Sequence, residues 1–186
     1  SQKRKDFRIL AHQVFKKSGD LNEVILPISF DETKESAKQN IATRSVALQH
    51  LKEGGCIGIF PGGTVSTAVK PFGKPMDPSW RRFTAKLISK SEANVIPIFF
   101  YGSNSRLFQI ASHIHYTLRM ALLINEFKRR VDDKVMISIG KSLPASELNY
   151  LRNDSNALME YLRKKTYGLS VDPEQEFDCG FEFETL

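Results

Sequence analysis

Cysteine is almost absent. Cys56 and Cys179 are the only two in 186 residues. They cannot build a disulfide framework, and no Cys-x-x-Cys or histidine cluster accompanies them to complete a zinc site. A reducing, cytosolic compartment is the simplest expectation. Long apolar runs are also missing. Stretches such as Met120–Ile124 fall far short of the ~20 residues a membrane-crossing helix requires, and no secretory signal is visible. Internal repeats and low-complexity segments are lacking. Gly73-Lys74 runs into Pro75 without the upstream glycine of a Walker phosphate loop. There is no Gly-x-Ser-x-Gly elbow and no His-Glu-x-x-His pair. His113 and His115 are two apart, so on a helix they point apart. They read as one packed and one partly exposed histidine, not as a metal pair.

Charge is plentiful and uneven. Twenty-seven Lys and Arg oppose 21 Asp and Glu, a net +6. Six of the acids lie between Asp172 and Glu184 with no base among them, leaving 27 bases against 15 acids, a net +12, in residues 1–171. A basic body suggests an anionic partner: phosphate, a phospholipid surface or nucleic acid. Nucleic acid is the weakest of these, because the chain has no stacking-aromatic sheet motif and no helix-turn-helix pattern. Residues 1–168 are expected to form one domain and 169–186 a loose acidic tail, which either shields the basic surface or dangles. Residue 1 is Ser and a strand-like segment follows within a few residues, so the sequence reads as a fragment or a processed chain.

Apolar patterning alternates between strands and helices. Phe7–Ala11 and Val24–Ser29 read as strands, Pro27 marking an edge or strand-end position. A helix follows, capped by Asp31 or Thr33, with a stripe of Ala37, Ile41, Val46, Leu48 and Leu51, and it stops at Gly54-Gly55. Cys56–Phe60 reads as a central strand ending in the sharp Pro61-Gly62-Gly63 turn. A loop over residues 64–79 leads to a helix, Arg81–Ser91, with Phe83, Leu87 and Ile88 facing inward. Asn94–Tyr101 and Val135–Gly140 read as strands, Ser105–Lys128 and Ala145–Tyr167 as helical. The class is α/β, with a mixed, mostly parallel central sheet flanked by helices. Ligands in such sheets lie beyond the carboxyl ends of the strands, which directs attention to the turn after Phe60.

That turn runs Phe60-Pro61-Gly62-Gly63-Thr64-Val65-Ser66. Its glycines allow a tight turn and close approach of a ligand, and its N–H groups can form an anion-binding nest. Thr64, Ser66 and Thr67 add hydroxyls, and Lys70 and Lys74 lie just downstream. The bland alternative is a simple turn after a strand. Pro97, inside Val95–Ile98, reads as a bulge or strand end. Trp80-Arg81-Arg82-Phe83 mixes aromatic and basic residues as interfacial segments do. Leu107, Phe108, Ile110, Ile114, Leu118 and Leu122 form an apolar helix face followed by Lys128-Arg129-Arg130. It reads first as a core-packed face with a basic end that complements the helix dipole, and second as a face for anionic lipid.

Phe60–Ser66 resembles the third block, Phe-Pro-Glu-Gly-Thr-Arg-Ser, of the glycerolipid (lysophospholipid) acyltransferase superfamily. Val95–Ile98 resembles its fourth block, and Val24–Asp31 falls where the second would lie. The hemolysin branch, with its ornithine-lipid-type acyltransferases, is the closer likeness. Lys70–Gly73, Asp77, Trp80, Phe83 and Gly102–Gln109 also resemble that branch, so the likeness spans roughly residues 5–143. The resemblance implies a glycerol-3-phosphate acyltransferase-like fold and an enzyme of lipid biosynthesis. It would move a fatty acyl group from acyl-CoA or acyl carrier protein to a lyso-lipid or amino-lipid, without a metal or redox cofactor. It implies an acceptor site at Phe60–Ser66, with Lys70 and Arg106 as anion contacts and Pro97 shaping the wall. It further implies a cytoplasmic protein, peripheral at the inner face of an anionic membrane. The family's base is the His of a His-x-x-x-x-Asp block, which its Asp orients. No histidine of this sequence has Asp five positions on, and by the family's order the block would precede Ser1. Gly62 replaces the third block's Glu and Val65 its Arg, which favours a head group other than glycerol phosphate.

Overall fold

The computed structural model describes residues 4–12, 23–29 and 33–182. Asp31 and Glu184, named above as a cap and a tail acid, lie outside the described residues. Strands β1 (Phe7–His12), β2 (Ile25–Ile28) and β3 (Cys56–Ile59) form a parallel sheet in the order β2-β1-β3. β1 is therefore the middle strand, and β3, expected to be central, lies outside it. Pro27 lies on the outer strand β2, as its missing N–H requires. Helix α1 (Lys34–Lys52) starts at Thr33, whose hydroxyl oxygen accepts from Ser36 N at 3.1 Å.

The inward face of α1 is only partly the expected stripe. Leu48 and Leu51 pack against the core, but Ala37, Ile41 and Val46 are exposed, while Ser36, Thr43 and Ala47 are buried. The reason is the backbone of β2. Thr43 Oγ1 donates to the Pro27 carbonyl at 2.6 Å, and Asn40 pairs with both the N–H and the carbonyl of Ser29, at 2.9 and 2.7 Å. Polar side chains of the helix thus satisfy a sheet edge that a further strand would otherwise pair.

α2 (Arg82–Ser89) packs between two apolar clusters. Leu87 and Phe83 join Leu10, Leu26 and Ala47 beneath the parallel sheet, while Ala85 and Ile88 join Leu148, Leu158 and Leu162. The second cluster is closed by a 3-10 helix, Ala145–Leu151, and by α5 (Ser155–Tyr167), capped by Asp154. Trp80, expected at an interface, packs against this cluster and donates its indole N–H to Asp77 Oδ2 at 3.1 Å.

The remaining strands do not join the parallel sheet. β4 (Ile98–Phe100) pairs antiparallel with β5 (Ile137–Ile139) as a separate two-stranded unit. Pro97 has no N–H to give, and β4 begins directly after it. Its carbonyl takes Gly140 N at 2.9 Å, while Val95 and Leu143 exchange bonds of 2.9 and 2.8 Å. The backbone of this segment is thereby committed to the residue 137–143 side. The architecture is mixed α/β with a small parallel sheet, not one continuous central sheet. Ser105–Lys128 divides at His115 into α3 (Arg106–Ile114) and α4 (Tyr116–Arg129). His115 is extended, and its Nδ1 accepts from Thr117 N at 3.1 Å.

The tail is docked, not loose. Gly180 N donates to Asp77 O at 2.8 Å and Phe181 N to Thr67 O at 2.9 Å. Buried Arg163 reaches the carbonyls of Phe177 and Asp178. Glu182 pairs with Arg81 at 3.2 Å, and Lys74 donates to Glu174 O at 2.7 Å. The acidic segment folds back along the basic loop, so of the two expected arrangements it takes the shielding one.

Candidate functional site

β3 ends at Ile59, and the chain reverses at once. Gly63 N donates to Phe60 O at 3.1 Å, closing a turn with Pro61 and Gly62 at its centre. Gly63 has φ of 70°, a left-handed conformation that favours glycine. Pro61 O accepts from Arg81 N at 2.8 Å, which ties the turn to the start of α2. The turn borders a shallow depression at the carboxyl ends of the three parallel strands, lined by Leu10, Ile28, Ile59, Phe83 and Arg81. A larger cavity of about 460 Å³ lies elsewhere, among Arg8, Val46, Gln49 and Glu53, and does not involve the turn.

The loop beyond the turn is held from α4. Arg119, only 3% exposed, donates to Thr67 Oγ1 at 2.8 Å and Ser112 Oγ at 2.9 Å. Its other terminal nitrogen reaches Val65 O at 3.1 Å and Thr64 Oγ1 at 3.3 Å. The guanidinium also lies 4.9 Å from the centre of the Phe108 ring. α3 contributes Gln109, whose Oε1 accepts from Ala68 N at 3.0 Å, and His113, whose Nε2 lies 2.9 Å from Ala68 O.

Asp77 is the second anchor. Ser66 donates to its Oδ1 at 2.5 Å while Trp80 occupies Oδ2, and its backbone N–H donates to Tyr167 Oη at 3.0 Å. Burial beside Asp77 pushes the Tyr167 hydroxyl up to about 12, so the ring stays neutral well above its ordinary range. Gly62 is buried, and a Cβ built there would lie 3.5 Å from the Asp77 side chain.

Phe60, Pro61, Gly62, Gly63, Thr64, Val65 and Ser66 therefore form one turn tied by hydrogen bonds to α2, α4 and Asp77. Phe60 projects outward, with its ring 6.0 Å from that of Phe100 on β4. The other candidates stand apart. Lys70 is exposed at a tight turn closed by Gly73 N on its carbonyl at 2.9 Å. Pro97 is buried at the entry to β4, and Arg106 is exposed on the first turn of α3. The bonds that fix the turn come from Arg119, Asp77 and Arg81, not from Lys70 or Arg106. Thr64 accepts from Arg119 yet is exposed, which leaves its own proton for a ligand.

No family model, curated protein or solved structure matches this chain. The site is argued from its own residues. Arg119 escaped the sequence reading, although its signal was present: a single arginine in the otherwise uncharged run Tyr116–Asn125, seven residues before Glu126, also buried. Burial works to raise the Glu126 carboxyl, but hydrogen bonds from Ser105 and the nearby Arg129 and Arg130 outweigh it and hold it below its ordinary value. Among the described residues no group of His, Cys, Asp and Glu is placed to hold a metal. No helix among them is long and apolar enough to cross a membrane.

Proposed function

We propose that the chain is the acceptor-binding part of an acyltransferase of lipid biosynthesis, with Phe60–Ser66 holding the polar head of a lyso-lipid or amino-lipid. The observation that carries this reading is the placement of a braced, glycine-bearing turn beside an apolar depression at the carboxyl ends of three parallel strands. A head group takes the turn's N–H groups and the Thr64 hydroxyl, while the adjoining depression, about 20 Å³ in volume, admits only the atoms nearest the head and leaves the chain to lie along its rim. Bracing by Arg119 and Asp77 reduces the ordering cost when the ligand arrives. The block-like sequence Phe60–Ser66, with Val95–Ile98 at a family-like distance, supports the same class.

The reaction needs a base to remove a proton from the acceptor hydroxyl or amine. The acceptor then attacks the thioester carbonyl, the C–S bond breaks, and the thiolate leaves and takes up a proton. With the acidic segment docked, the net +6 of the whole chain would still favour the approach of acyl carrier protein or acyl-CoA, both anionic. No histidine in the sequence carries the family's Asp five residues on. That observation favours a second reading, in which the chain binds lipid or acyl carrier without turnover.

Titration calorimetry with lyso-phospholipid and lyso-ornithine-lipid micelles tests the site. Replacing Gly63 by Val forces a branched residue into φ of 70° and should weaken head-group binding at least tenfold. Undiminished binding would place the site elsewhere. Transfer of a labelled acyl group from a thioester, measured on the protein isolated from its own cell, separates the two readings. Transfer supports the enzyme; binding without transfer supports the carrier.

A further inference from the structure

The docked tail brings an anion of its own to the site. Glu182 Oε1 lies 3.2 Å from a terminal nitrogen of Arg81, and its Oε2 accepts from Ser79 N at 3.2 Å. Arg81 is the charged residue among those that line the depression beside the Phe60–Ser66 turn. A carboxylate of the chain thus sits on the cation of that depression. Its hold is weak. Both bonds are longer than the ~2.8 Å of a strong charge-assisted bond. The two side chains are 40% and 44% exposed, and an ion pair so open to water contributes little. Arg81 is also under-used, because its Nε is buried without a hydrogen-bond partner. Glu182 is kept in place by the residues before it. Gly180 N and Phe181 N are bonded to Asp77 O and Thr67 O, and the Phe181 ring meets that of His113 edge-on at 5.0 Å. A carboxylate tethered in this way acts at an effective concentration on the order of millimolar.

We infer that Arg81 and the Ser79 N–H form a phosphate site at the mouth of the depression, which Glu182 occupies as an internal competitor and which a ligand's phosphate takes by displacing it. Phosphate suits these donors better than the resident carboxylate. Its oxygens can engage Nε together with a terminal nitrogen, the side-by-side geometry at which arginine excels. Its greater negative charge adds attraction. α2 begins at Arg82 with no side-chain cap, so the positive end of its dipole lies next to the same site. The acidic tail then acts as a filter. A ligand without a phosphate gains nothing at Arg81 and leaves Glu182 seated. The inference deepens the head-group reading and rests on it only for the place of the ligand. It assigns the anion contact to Arg81 in place of Lys70 and Arg106, and it needs neither a base nor acyl transfer.

Titration of the full chain with inorganic phosphate tests it, at an ionic strength held constant with sodium chloride. The readouts are the Ser79 amide and the indole N–H of Trp80, the single tryptophan, in NMR spectra. Glu182→Gln removes the competitor and should tighten phosphate binding about fivefold, a modest gain because the ion pair it breaks is weak. Glu176→Gln removes the same charge from an exposed side chain of the same segment and should leave the affinity within about twofold of the parent. Arg81→Gln should weaken binding at least tenfold, with or without Glu182→Gln. Equal gains from Glu182→Gln and Glu176→Gln would overturn the inference, because general repulsion would then explain both. Undiminished binding by Arg81→Gln, or no binding even by Glu182→Gln, would also overturn it. Should Arg81→Gln melt below the parent, the comparison of the two Glu variants still decides. An equal gain with lyso-phospholipid micelles would put the phosphate on a lipid head, and a gain confined to inorganic phosphate would make the ligand a free phosphate. Failure of phosphate binding would leave the head-group reading to the Gly63→Val calorimetry, in which Arg81 and Glu182 are unaltered.

Discussion

Arg119 on α4 donates to the hydroxyl of Thr67 at 2.8 Å, joining residues 52 apart in the sequence. Both are buried, and the same guanidinium reaches Ser112 and Val65. Arg119→Met should therefore leave several buried acceptors without a donor, and should cost about 3 kcal/mol in urea unfolding. Arg119→Lys should recover only part of this, since an ammonium on a flexible stem cannot span the fork. Arg106→Met, at an exposed position, should change stability by less than ~0.5 kcal/mol. Equal losses for Arg119→Met and Arg106→Met would show that the loop is held by other contacts.

Gly180 passes too close to the loop for any side chain. A Cβ there would lie 1.9 Å from Met76 O and 2.5 Å from Thr67 O, both backbone atoms that cannot step aside. Gly180→Ala should expel the tail, losing the Gly180–Asp77 and Phe181–Thr67 backbone bonds, at a cost of about 2 kcal/mol. A Glu-specific protease should then cut at Glu174 or Glu176 far faster than in the parent. Deleting residues 176–186 should cost a similar amount. If the substitution proves much worse than the deletion, the tail stays in place and the strain falls on the loop.

Some of this was legible beforehand. The start of α1 at Thr33, one of two candidate caps, the edge position of Pro27, one of two placements its missing N–H allows, and the inward side chains Phe83, Leu87 and Ile88 follow from local capping and helical spacing. The docked tail was not legible, because its contacts are backbone bonds between Gly180, Phe181 and a loop a hundred residues away, which leave no periodic trace. The inward face of α1 misled for a related reason. Thr43 is buried and Asn40 half-buried because the edge of β2 needs partners, and polarity in the sequence ordinarily signals exposure. At the site, the turn itself was visible as Pro61-Gly62-Gly63. Its braces lay on helices read only for their apolar residues.

Tyr167 offers a test by pH. Its hydroxyl accepts from Asp77 N at 3.0 Å, and burial raises it from 10.0 to about 12. An unfolded chain loses this proton first as pH rises, so the neutral ring contributes its full stability below pH 10 and that contribution is gone by about pH 12. The loss across this window should be on the order of 2 kcal/mol, somewhat less where water reaches the ring. Tyr167→Phe cannot ionise. It should cost about 1 kcal/mol at pH 8, because Asp77 N–H loses its acceptor, and should then fall less steeply between pH 10 and 12. The lysines and other tyrosines titrate in both proteins, so the difference between the two urea-midpoint curves isolates this one group. Parallel curves throughout would mean that Tyr167 ionises alike in both states and that the Asp77 end of the loop is open to water.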